Sequence, residues 1–128
     1  MFGLPLRLES FVVPLALALA AVSCARAADA DAHYRVRGLV EGFSGSGDDA
    51  RAAIRHERIA AFKDRDGKPS PMDSMAMNFA IAPGVDVKPL QPGAKLEIEF
   101  DVRWSSGAPL VITRARALSA DTSLELAR

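Results

Sequence analysis

The stretch KLEIEFDVRW, residues 95–104, alternates Leu96, Ile98, Phe100 and Val102 with Glu97, Glu99 and Asp101. A period of two sends the four apolar side chains to one face of a strand and the three carboxylates to the other; a helix would mix them. Reading outward, SSGAP (105–109) is a tight turn into PLVITRARAL (109–118), a further strand. On the other side, APGVDVKPLQPG (82–93) is a connector with room for about one helical turn, closed by Pro92-Gly93.

Earlier in the chain the same period recurs. YRVRGLV (34–40) is a strand with Tyr34, Val36, Gly38 and Val40 on one face, and GFSGSGDD (42–49) is a turn cluster with nothing to bury. RAAIRHE (51–57) follows as a second strand in which Ile54 and His56 share a face. The next connection is long, and its KDRDGKPSP segment (63–71) reads as an exposed hairpin or loop. SMAMNFAI (74–81) is then the third strand, with Met75, Met77, Phe79 and Ile81 on one face. Met72, Met75, Ala76 and Phe79 also fit helical spacing, but Pro71 and Pro83 leave only about three turns, which favours the strand.

Five short antiparallel strands predict an all-β domain, a small five-stranded OB-like β-barrel, preceded by a cleavable signal peptide. FVVPLALALAAV (11–22) is apolar throughout, and Ala25-Arg26-Ala27 offers the small-x-small cleavage pattern. Twelve apolar residues are too few to span a bilayer at about 1.5 Å per residue, so no transmembrane segment is expected. The expected organisation is a signal peptide at 1–27, a disordered lead at 28–33, the barrel at 34–118 and a C-terminal tail at 119–128 with a frayed turn. An alternative processing route makes Cys24, after Ala21-Val22-Ser23, a lipidated first residue. Cleavage after Ala27 leaves 101 of the 128 residues and no cysteine, which excludes disulfides and thiolate metal sites. It also takes Arg7, Arg26 and Glu9 from the 16 basic and 16 acidic residues, for a net charge near −1. Without a basic excess, nucleic acid is a poor partner.

Apart from Met1, every methionine lies in PMDSMAMNF (71–79). A core that needed only soft filler would scatter them, and this chain has Val, Ile, Leu and Phe in quantity. Thioether sulfur is soft and uncharged and prefers Cu(I) or Ag(I). Imidazole completes such a site, and an antiparallel pairing of the two strands would bring His56 to the face of Met75 and Met77.

HERIAAF (56–62), PMDSMAMNFAI (71–81) and L-x-P-G-x-x-L-x-I-x-F (90–100) resemble the CusF-like family of periplasmic copper- and silver-binding chaperones. The resemblance covers about residues 34–118 and implies an OB-like barrel with His56, Met75 and Met77 as ligands. Met72 stands where the best-known member has a metal-capping tryptophan, and so becomes a fourth ligand or a lid. The connection between His56 and Met72 is longer than is typical, with KDRDGKPS as the insertion. The resemblance further implies a periplasmic monomer that carries Cu(I), or Ag(I), to a copper efflux component or an oxidase copper-assembly factor.

Plainer roles are expected elsewhere: His33 at the surface, Trp104 in rim packing, and Asp64-Arg65-Asp66-Gly67 as a turn, because it lacks the distal glutamate of a calcium loop. No nucleophile elbow, His-Glu-x-x-His or phosphate loop occurs, so no enzyme is expected. The competing function is a metal-free OB-type domain that grips a protein or glycan of the envelope.

Overall fold

The structure, a computed structural model, describes Gly3 and residues 30–127. The signal-peptide and Cys24 expectations lie outside the described residues. Five strands form: β1 Ala32–Ser44, β2 Arg51–His56, β3 Met75–Ile81, β4 Lys95–Val102 and β5 Leu110–Ala117. They close into a barrel in the order β1-β2-β3-β5-β4. The chain is thus the all-β, OB-like barrel that the period-two patterning predicts.

β4 shows why. Leu96, Ile98, Phe100 and Val102 all point inward and are at most 1% exposed, each contributing about 1.5–3 kcal/mol by leaving water. They meet Phe79 of β3, whose ring stands edge-on to Phe100 at 5.1 Å, and Ile54, Val40 and Ile112 from the remaining strands. The outward carboxylates Glu97 and Glu99 lie among Arg35, Arg114 and Arg116. The alternation therefore encodes both a dry lumen and a charged outer wall.

Four expectations are corrected. β1 begins at Ala32, inside the segment expected to be a disordered lead, because Ala32 and His33 pair with Val102 and Asp101. It also continues through Gly42, Phe43 and Ser44, which were expected in a turn: the register of β1 on β2 shifts between Val40 and Gly42, and pairing resumes beyond the irregularity. β3 and β5 are parallel, joined at Ala80–Val111 and Ile81–Ile112, so the barrel is not purely antiparallel. The only helical turn among the described residues is the 3-10 turn Gly47–Asp49, so the connector at 82–93 makes isolated turns in place of the expected helical one, whereas the tail opens on a turn in which Thr122 N donates to Ser119 O at 2.9 Å.

The connection between β2 and β3 is a folded hairpin. Ile59 and Met72 exchange both backbone hydrogen bonds at 2.8 and 3.0 Å, and the Asp64 carboxylate accepts from the amides of Asp66 and Lys68 at its tip, where Gly67 takes φ +77°. Phe62 drops from this hairpin into the barrel end, 5% exposed, stacked on Tyr34 at 5.1 Å and edge-on to Trp104 at 6.2 Å.

Candidate metal centre

β2 and β3 run antiparallel in one unbroken register, with His56 opposite Met75, Ile54 opposite Met77 and Ala52 opposite Phe79. Phe79 is fully buried in the lumen, and alternation puts Met77 and Met75 on that same inner face. The inward positions of β2, namely Ala52, Ile54 and His56, are all 0% exposed. One imidazole and two thioethers therefore share the inner face where β2 ends and β3 begins. His56 and Met75 are directly opposed, a relation that sets Cβ atoms about 4.5–5.5 Å apart, while Met77 lies diagonally across from His56, a spacing of about 7–8 Å.

The hydrogen bonding of His56 decides what the site can do. Its Nδ1 lies 2.6 Å from the main-chain carbonyl oxygen of Glu57. A carbonyl can only accept, so Nδ1 carries a proton, and in the neutral ring the lone pair is then on Nε2. That Nε2 is buried and has no hydrogen-bond partner. An unpaired buried polar atom costs about 1–3 kcal/mol, and a metal-ligating imidazole characteristically has its other ring nitrogen held by a hydrogen bond of this kind.

The carbonyl is itself fixed. Glu57 N donates to Arg37 O at 2.9 Å, and the Glu57 carboxylate takes a bidentate pair from Arg37 at 2.7 and 2.8 Å. Burial pushes the Glu57 carboxyl up, but the Arg37 hydrogen bonds, an amide bond from Glu125 and the Arg37 charge outweigh it, and the group lies below its ordinary value. These partners were not anticipated from the sequence. The Arg37 and Glu57 positions look like ordinary outer-face charges until the register is known.

The methionines differ in access. Met75 is 40% exposed, whereas Met77 and Met72 are partly buried against the core. The register sets Met72 against Ile59 rather than His56, at the hairpin base just ahead of the strand. The KDRDGKPS segment lies beyond that base and leaves the His56–Met75 pairing intact. No group of three His, Cys, Asp or Glu side chains suited to a metal occurs among the described residues; the side chains gathered at this mouth are thioethers and one imidazole.

His33 lies on the outer wall, with Nδ1 2.7 Å from Asp101 and Nε2 3.3 Å from Glu99. Trp104 packs on Phe62 and carries the Arg65 guanidinium 5.9 Å from its ring centre. Both have structural partners.

No family model matches the chain, and no curated protein matches it. Among solved structures, apo-CusF from Escherichia coli superposes with a TM-score of 0.50 at 21% identity, over 72% of this chain and 93% of that one. A tryptophan-to-alanine variant of CusF from Escherichia coli with Cu(II) gives 0.48 at 21% identity, over 68% and 92% of the two chains. Ag(I)CusF gives 0.46 at 16% identity, over 68% and 99%. The apo-CusF likeness identifies the fold.

Proposed function

We infer that this chain is a periplasmic carrier of Cu(I), or of Ag(I), that holds the ion through His56 Nε2, Met75 and Met77, with Met72 alongside. The observation that carries the reading is the buried, unpartnered Nε2 on the shared inner face, directly across the ladder from Met75. Neutral imidazole and thioethers leave the ion's single charge uncompensated, a donor set that suits a soft monovalent cation and disfavours hard ions. The same donors define the chemistry of the hand-over. Met75 is the exposed ligand, so an incoming donor reaches the ion from its side while His56 and Met77 still hold it. Such stepwise exchange suits delivery to a copper efflux component or an oxidase copper-assembly factor. Transport, with no bond broken in a substrate, makes the protein a carrier rather than an enzyme.

The test is a Cu(I) titration of the chain against a competing chelator. The wild type is expected to take up one Cu(I), and His56→Ala and Met75→Ala/Met77→Ala to lose it. Equal affinity of the wild type and the methionine double variant overturns the reading and leaves the metal-free OB-type envelope domain in its place.

A further inference from the structure

β3 carries two of the proposed ligands, yet it is held unevenly. It pairs with β2 from Met75 to Ala80, while β5 pairs only with Ala80 and Ile81. The half of β3 that bears Met75 and Met77 thus has one neighbouring strand among the described residues. Strand tips held from one side open more readily than strands held from both.

A second restraint comes from the far end of the chain. After β5, Leu118 N donates to Lys95 O at 2.9 Å, and the Lys95 ammonium donates to the carbonyls of Ala120 and Thr122 at 2.8 and 2.6 Å. The chain then crosses to the opposite strands. Glu125 N donates to the Glu57 carboxylate at 2.8 Å, Ala127 N donates to Ser74 Oγ at 2.9 Å, and Arg55 reaches Ala127 O at 3.4 Å. Leu124 and Leu126 are half-buried on the way. Glu57 follows His56 and Ser74 precedes Met75, and His56 and Met75 are ladder partners. The tail therefore bonds both strands immediately beyond the ligand pair. Through the Arg37–Glu57 pair its hold extends to β1.

We propose that residues 119–127 form an outer strap that keeps the tips of β2 and β3 together and thereby slows release of the bound soft cation. The proposal rests on the metal reading above. Ser74 and Glu57 are its positioning residues: they touch the strap and act through their neighbours Met75 and His56. An ion bridging His56 and Met75 is lost when the tips part, so each strap bond that resists parting lengthens its stay.

The test compares the full chain with a variant ending at Ala120 and with Ser74→Ala and Ser74→Thr. Two measurements are made: amide hydrogen exchange in the metal-free protein, and the rate of Cu(I) transfer to excess chelator. Truncation is expected to speed exchange at residues 54–57 and 75–77 about tenfold, with Phe100 unchanged, because only the local opening is affected. Cu(I) release should rise by a similar factor. Ser74→Ala, which leaves the tail in place and serves if the truncated chain folds poorly, should move both readouts the same way, and Ser74→Thr, which keeps the hydroxyl, should restore them. Release unchanged by truncation and by Ser74→Ala overturns the strap, as does faster release without faster tip exchange. A wild-type chain that takes up no Cu(I) overturns the metal reading itself, and is told apart because the truncation then alters exchange alone.

Discussion

Gly38 and His56 are partners in the β1–β2 ladder, and a Cβ placed on Gly38 would stand 2.8 Å from Arg55 O, 2.8 Å from Ile54 Cγ2 and 3.2 Å from His56 Cα. Two of these neighbours are backbone, which cannot swing aside. The glycine is what lets β1 pass so close to the strand that ends in the proposed ligand. Gly38→Ala is expected to destabilise the fold by about 1–3 kcal/mol through overpacking. Because the displaced strand carries His56, it should also weaken Cu(I) binding. Urea unfolding and chelator competition on the same variant check both; a fold of unchanged stability would contradict the close packing.

Met75 and Met77 separate packing from coordination because leucine matches methionine in volume and lacks its sulfur. Met75 is 40% exposed, so Met75→Leu should leave stability nearly unchanged. Met77 is partly buried against the core, and Met77→Leu should cost less than about 1.5 kcal/mol. Each variant is expected to lose Cu(I) affinity about tenfold or more, the equivalent of ~1.4 kcal/mol for a lost ligand bond. Chelator competition measures the affinity and thermal unfolding the stability. Affinities that follow stability rather than sulfur count would assign the methionines to packing.

These residues also show how far the sequence could be read. The parity of Met75, Met77 and Phe79, and of Ile54 and His56, follows from period-two alternation, so the shared face was visible before any coordinates. Three features were not. Gly42–Ser44 looked like turn because glycine and serine signal turns locally, whereas cross-strand pairing with Ala53, Ala52 and Arg51 holds them extended. The parallel contact of β3 with β5 depends on how the barrel closes, which no local pattern reports. The strap is invisible because its bonds run through main-chain amides of Glu125 and Ala127, which every residue but proline possesses.

Phe62 belongs to the same lesson, since the connection that holds it reads as exposed loop around its charged tip. Its ring is 5% exposed and stacks between Tyr34 and Trp104. Phe62→Ala is expected to cost about 3–5 kcal/mol, more than any substitution at the Asp64–Gly67 turn that tops the same hairpin. Chemical denaturation of Phe62→Ala beside Arg65→Ala measures the contrast. A loss under about 1 kcal/mol for Phe62→Ala would mean that the hairpin rests on the barrel without plugging it.

His33 supplies a pH dependence that lies away from the metal mouth. Both ring nitrogens face carboxylates, Asp101 at 2.7 Å and Glu99 at 3.3 Å. The hydrogen bond to Asp101 raises the His33 pKa above its ordinary value of 6.5, against partial burial, with Glu99 adding to the rise. The bond from His33 in turn holds the Glu99 carboxyl below its usual value. Since the folded state binds this proton more tightly than the unfolded chain does, the stabilisation is fully present below about pH 6.5 and is lost as pH rises through the elevated folded value. The side chain is half exposed, so after solvent screening the pair with Asp101 is worth roughly 0.2–1 kcal/mol. His33→Asn should therefore be less stable than the wild type at pH 5.5, with the gap closing as pH rises through the elevated folded value and the imidazole becomes neutral. It should leave Cu(I) affinity at pH 7 unchanged. Urea midpoints across that pH range measure the gap; one that stays constant with pH would remove the ionic contribution, and a fall in Cu(I) affinity would bring His33 into the ligand set.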